Sequence, residues 1–373
     1  MDWENDCLED GRVLMAVLKA AVDEGPLPPF VAKVQWERLY ALAHFHRVAN
    51  LAWFAMEKAA IPLPEALAKR WKEERDQAIV REIRFDVERE KLYGRFDAQG
   101  IAYLPLKGIV LKKLYPRPGM RWMSDHDILY QGTQQAAVVA VMSALGYETI
   151  SLEGNHDVFH KAPIFNFEMH KALFPESSPF AAYWADPWER LVHPHGGDGY
   201  AMTERDFYLY FLMHFKKHLD GGGSGIRGLV DLYLLRQRPV DWDQMEAVLE
   251  ALGLRHWHQD LVSLLDDVMA GRPLNAQSKG LFSYILTSGT YGTVENRIRN
   301  TLIQGDAAQP FSIPQKCLYV FHRLFPDYGF MCLWYPPLKE HPLLMPLAYA
   351  RRLARGILKI KRSFYEFLVT MGL

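Results

Sequence analysis

The chain has 373 residues, 49% of them hydrophobic and 13% aromatic. That apolar content excludes a disordered chain, and the length implies two or three packed units of about 100–200 residues each. With 43 Lys and Arg against 44 Asp and Glu, the net charge of −1 excludes a global field favouring nucleic acid or an acidic membrane, so any such contact needs a local patch.

Cys7, Cys317 and Cys332 are too few and too scattered for a disulfide framework, which fits a reducing cytoplasm. The opening MDWENDCLEDGR is acidic where a secretory signal is basic, and no uncharged apolar run reaches about 18 residues, so neither export nor a transmembrane segment is expected. Residues 1–98 read as helices throughout, with predicted helices over Leu8–Val22, Val31–Ala43 and a long charged Pro64–Ala98. The pattern changes at Gly100. IAYLPL reads as a short strand, KGIVLKKLY as a helix start, SDHDILY as an alternating strand and residues 133–145 as a helix ended by Gly146. YETISL, DVFHKA and IFNFEMHKALF then read as further strands.

From about residue 203 the helical period returns in TERDFYLYFLMHFKKHL, RGLVDLYLLRQR, WDQMEAVLEALG and HWHQDLVSLLDDVMAG. GGGSG at 221–225 reads as the most flexible stretch, a mobile loop between two of these helices. A Pro-rich section follows, then a basic helix from Leu344 to about Val369. The expected class is α+β: a small mixed sheet with helices at 99–200, flanked by a helical segment at 1–98 and a mostly helical region at 201–373.

The chemistry concentrates in LPLKGIVLKKLYPRPGMRWMSDHDILY. Asp125 and Asp127 are two apart on a predicted strand, so both carboxylates share a face and repel unless a cation sits between them. A strand that ends in Lys107-Gly108 and enters a helix offers backbone N–H groups and a positive helix end to a phosphate. Alternation in IFNFEMHKALF puts Glu168 on one face with Asn166 and His170, supplying a third carboxylate. Three such groups suit a two-metal site, in which ions roughly 3.5–4 Å apart activate a hydroxyl and neutralise a leaving pyrophosphate.

On LPLKGIVLKKLY, Arg121, SDHDILY and FEMH the sequence resembles the nucleotidyltransferase fold of the DNA polymerase β superfamily, and within it a bacterial group of uncharacterised nucleotidyltransferases. A looser likeness runs through HFKKHLDGGGSGIRGLVDLYLLRQRPVDW. The resemblance implies that Asp125, Asp127 and Glu168 are catalytic and hold Mg²⁺, with Mn²⁺ an alternative, and that Lys107 and Gly108 contact the triphosphate. It adds Arg121, His170, His214 and His218 as nucleotide-binding candidates. Two departures stand out: the superfamily carries Gly-Ser where this chain has Lys107-Gly108, and His126 replaces the apolar residue usual between the acids.

Other clusters carry plainer alternatives. His214 and His218 have metal-ligand spacing on a helix but lack the Glu of H-E-x-x-H; packing or nucleotide contact fits better than zinc, with Arg227 and Asp231 as partners or as an i, i+4 ion pair. HPHGGDG reads as a turn, and His156 with His160 as strand polar residues sharing a face. The basic run RRLARGILKIKRSFYEFLV could meet RNA or an anionic membrane surface through Leu358, Phe364 and Phe367; a solvated face is the simpler reading. The expected activity is transfer of a nucleoside monophosphate from an NTP, ATP foremost, to a hydroxyl-type acceptor on a small molecule, a tRNA or a protein, with release of pyrophosphate. The alternatives are a catalytically inactive binding module of the same fold, or a metal-dependent glycosyltransferase using its D-x-D.

Overall fold

The computed structural model describes residues 3–29, 34–193, 199–290 and 324–357, together with Gly292, Thr293, Asn296, Arg297, Asn300 and Phe321. The N-terminal helices are α1 (Trp3–Val22), α2 (Trp36–Phe45), α3 (Ala49–Lys58) and α4 (Glu65–Asp97). Helix α2 begins at Trp36, later than the predicted Val31, because Val34 and Gln35 are non-helical.

At 33 residues α4 is about 50 Å long, and its buried positions Leu67, Trp71, Ala78, Phe85, Leu92 and Phe96 form one stripe at steps of four and seven. The stripe joins two cores. Leu67 and Trp71 belong to a large cluster with the other helices, whereas Phe85, Leu92 and Phe96 pack under the sheet.

The sheet has strands β1 (Tyr103–Pro105), β2 (His126–Tyr130), β3 (Glu148–Ser151), β4 (His156–Lys161) and β5 (Phe165–His170) in the order β1-β2-β5-β4-β3. Only the β2–β5 pair is parallel, with Asp127 opposite Glu168. Between β1 and β2 lies the short helix α5 (Gly108–Leu111), and α6 (Gln135–Ala144) follows β2. Alternation sends Ile128 and Tyr130 into the core with α4 and α6, and Leu129 into the large core on the opposite face.

That opposite face meets α7 (Glu204–Asp220), whose first turn is capped by the Thr203 side chain accepting from the Asp206 N–H at 3.1 Å. Helices α8 (Arg227–Leu235), α9 (Trp242–Ala251), α10 (Arg255–Ala270) and α11 (Ala276–Ser288) complete the large core, which α1 enters by packing on α10 and α11. Helix α11 was not expected, although Asn275 caps it by accepting from the Ser278 N–H at 2.8 Å. Further on come α12 (Tyr328–Trp334) and α13 (Met345–Ile357). The predicted basic helix corresponds to α13 as far as Ile357, and its continuation, including Leu358, Phe364 and Phe367, lies outside the described residues, as do His195 and Asp198 of HPHGGDG. Among the described residues no helix is long and apolar enough to cross a membrane.

GGGSG, expected as a loop with slack, is closely packed. Gly222, Gly223 and Gly225 are buried, and a Cβ at Gly223 would lie 2.0 Å from Ser288 Oγ, while one at Gly225 would lie 2.7 Å from His46 Nδ1. The glycines serve close packing rather than slack. His46, fully buried, fixes the segment: its Nε2–H donates to the Leu286 carbonyl at 3.1 Å and its Nδ1 accepts from the Ile226 N–H at 3.3 Å.

Candidate nucleotide and metal site

The site begins where β1 turns into α5. The Leu106 N–H donates to the Asp127 carbonyl at 3.0 Å, and the chain then turns sharply at Lys107, whose φ of +46° and ψ of −118° are rare for a residue with a side chain. Such a conformation costs of order 1–3 kcal/mol and persists only where its surroundings enforce it. Gly108 must be glycine for a different reason: a Cβ there would lie 2.7 Å from Arg121 Nη1 and 2.8 Å from Met123 Sδ.

Arg121 cannot readily yield that space. Its Nε and Nη2 donate to the two carboxylate oxygens of Asp231, each at 2.8 Å, and the Tyr115 hydroxyl donates to Asp231 at 2.8 Å as well. Asp231 thus ties α8 to the segment before β2, and Arg227 of the same helix donates to the Trp122 carbonyl at 3.0 Å. Arg81 of α4 grips the same segment, its guanidinium donating to the Met123 and Ser124 carbonyls at 2.6 Å each. These two arginines fix the backbone that carries Asp125.

Asp125 sits one residue before β2 rather than on it, and Asp127 lies within the strand. Asp127 Oδ1 accepts from Lys107 Nζ at 2.7 Å and from His170 Nε2 at 2.8 Å. Burial alone would raise the Asp127 pKa, but the Lys107 charge and the His170 hydrogen bond hold it well below the usual carboxylate range. Glu168 goes the other way, pushed up to about 7 by burial first and then by the charges of Asp127 and Asp125. Burial and the Asp127 charge likewise raise Asp125. His170 is lowered to about 4 by burial and then by the Lys107 charge.

One ligand atom each from Asp127, Glu168 and His170 lie within 4.8 Å of one another, a grouping that leaves Asp125 outside. Asp127 and Glu168 bring carboxylate oxygens together beside His170, and burial with the neighbouring negative charges raises Glu168; a hard divalent cation relieves such a donor set, so the residues fit Mg²⁺ or Mn²⁺. The Lys107 ammonium, 2.7 Å from Asp127 Oδ1, is the cation in contact with that acid.

A cavity of about 320 Å³ opens in front of these acids. Helix α7 supplies its opposite wall with Phe207, Tyr210, Phe211, His214, Phe215 and His218, and Arg227 with Gly228 begins α8 at its side. Lys107, Gly108, Arg121, Asp125, Asp127 and Glu168 all line it, as does Ser224 of the glycine segment. His170 reaches the cluster through Asp127 and is not in the lining. His214 and His218 approach each other, Nε2 to Nε2, at 3.2 Å and belong to no cluster of three or more metal-ligating side chains among the described residues. Burial and then the Lys107 charge keep both below the usual imidazole pKa, His218 at about 4.

His126 behaves as a core aromatic. Its ring, fully buried, stacks on Phe85 at 4.3 Å between centroids and meets Phe167 at 5.3 Å, on the sheet face away from the cavity. His156 Nε2 reaches to 3.8 Å from Glu168, whereas His160 is exposed. Sequence reasoning passed over the aromatic wall and Tyr210, whose hydroxyl is buried without a hydrogen-bond partner. The signal was the recurrence of Phe207, Tyr210, His214 and His218 at steps of three and four on one helix.

Fold and site together have the form expected of a nucleotidyltransferase core. Residues 32–269 match a family described as "Uncharacterised nucleotidyltransferase", and the chain belongs to that family. No curated protein matches the chain. Among solved structures, the antibiotic-resistance factor ANT(2'')-Ia, studied in solution for its substrate-regulated conformation dynamics, is 10% identical with a TM-score of 0.35, covering 51% of this chain and all of its own.

Proposed function

We propose that the protein transfers a nucleoside monophosphate from an NTP to a hydroxyl-type acceptor and releases pyrophosphate, with Asp125, Asp127 and Glu168 as the metal-binding and catalytic acids. The observation that supports this most is the parallel register of β2 and β5, which sets Asp127 against Glu168 on the face where Asp125 and Lys107 also meet the cavity. A divalent cation bound there, magnesium first, would supply neutralisation of the triphosphate and activation of the hydroxyl. Lys107, Arg227 and the backbone around Gly108 would bind phosphate oxygens, and the aromatic wall of α7 gives the base a surface to stack on. Glu168 would orient the acceptor and take its proton as the acceptor oxygen bonds to the α-phosphorus and the bond to the β-phosphate oxygen breaks. A glycosyltransferase would not need Glu168 beside Asp127.

Thermal shift with each NTP, with and without Mg²⁺, tests the reading on the wild type and on an Asp125→Ala, Asp127→Ala double variant. Nucleotide at about 100 Kd should add roughly 2.7 kcal/mol of stability. A Mg²⁺-dependent shift absent from the variant is expected, and a shift that survives in it would refute the placement. Binding without pyrophosphate release for any acceptor, even in Mn²⁺, would favour the inactive binding module.

A further inference from the structure

We propose that Lys107 is a resident counter-ion for the acid cluster, and that its ammonium and a divalent cation exclude one another at Asp127. The inference rests on the metal reading above and adds a second state to it. Asp127 Oδ1 already accepts two hydrogen bonds, from Lys107 at 2.7 Å and His170 at 2.8 Å, so an ion taking that oxygen must displace one donor, and an ion on Oδ2 would meet the like charge of the Lys107 ammonium only a few ångströms away. His170 is held by its place in β5 and is itself buried, whereas lysine carries its charge on a flexible four-carbon stem. Lys107 is therefore the donor that leaves.

Two further observations point the same way. The backbone at Lys107 keeps a conformation, φ +46° and ψ −118°, that glycine adopts far more easily, so the side chain is retained against a local preference. The cavity wall facing it holds the Tyr210 hydroxyl, buried and without a partner. A lysine released from Asp127 thus swings into a cavity that offers it an acceptor and, when nucleotide is present, phosphate oxygens. Without a divalent ion Lys107 guards the acids; with one it belongs to the nucleotide.

The test is Mn²⁺ binding by calorimetry and by electron paramagnetic resonance, without nucleotide, on the wild type, Lys107→Met, Lys107→Gly and Asp127→Asn, each checked for fold by circular dichroism. Removing a positive charge only a few ångströms from the ion should tighten Mn²⁺ binding by on the order of tenfold or more in both Lys107 variants. NTP binding in the presence of the divalent ion should weaken in the same two proteins. A lysine that merely stabilises the fold would move both affinities down together. Mn²⁺ binding that Asp127→Asn abolishes but Lys107→Met and Lys107→Gly leave unchanged or weaker overturns the counter-ion proposal and keeps the metal site. Failure of all four proteins to bind Mn²⁺ overturns both.

Discussion

Replacing Asp231 with alanine strips the Arg121 guanidinium of both its carboxylate bonds and orphans the Tyr115 hydroxyl. The pair is largely buried, with side-chain exposures of 9% for Arg121 and 4% for Asp231, and water reaches it only from the cavity side, so the lost partner is replaced in part at most. Removing one member of such a pair costs about 3–5 kcal/mol, a large share of the roughly 5–15 kcal/mol by which folded proteins are stable. At about 1.3 °C per kcal/mol for a chain this size, Tm should fall by roughly 4–6 °C. Urea denaturation and a thermal melt give the two numbers. The companion is Asp231→Leu with Arg121→Met, which removes both charges and should recover most of the loss, because the penalty lies in the unpaired charge rather than in the missing bond. A loss below about 1 kcal/mol in the single variant, or a double variant no more stable than the single, would refute the argument.

Three other expectations follow from the geometry. His46, held near pKa 4 chiefly by burial, adds no penalty above its ordinary value of 6.5; as pH falls from 6.5 to 4 the unfolded chain takes a proton that the folded chain refuses, and about 3 kcal/mol of stability is lost. Denaturation across that window should show a shallower slope in His46→Gln, and an unchanged slope would count against it. Gly223→Ala, with φ at +108° and a Cβ 2.0 Å from Ser288 Oγ, should cost at least about 2 kcal/mol, and Ser288→Gly should restore part of it; a neutral Gly223→Ala would mean that the segment yields. Glu168→Gln should abolish pyrophosphate release, whereas His214→Ala should only reduce it, and equal losses in the two would move the chemistry from β5 towards α7.

What could be read from the sequence was whatever local spacing determines. The alternation of SDHDILY and FNFEMH put Asp127 apart from His126 and Glu168 beside His170, and it placed them correctly because a strand alternates its side chains whatever it pairs with. The pairing itself was not readable: Asp127 meets Glu168 only because β5 docks parallel to β2, and β3 and β4 intervene between them in the chain. Arg121 and Asp231 lie 110 residues apart, so the nearer Arg227 looked like the natural partner. GGGSG misled for a related reason. Composition shows that a segment can bend, but only Ser288 at the end of α11 and His46 just after α2 show that it must be narrow. His126 read as an intruder between acids because its polarity was visible and its position between two phenylalanine rings was not.

The shared core limits how this chain could be taken apart. Because α1 packs on α10 and α11, and α4 carries one hydrophobic stripe through both cores, the sheet with its acids is not a cassette that could be excised or transplanted. A fragment of residues 99–200 would expose Leu104, Leu106 and Leu129 on one face and, without Phe85, Leu92 and Phe96, the underside on the other. During synthesis, the acids of β2 and β5 leave the ribosome well before the α7 wall that closes over them, and the glycine segment locks only after Ser288 arrives. The pocket is complete only after the growing chain has passed Ser288, so nascent copies should be unable to hold nucleotide before that residue has been added.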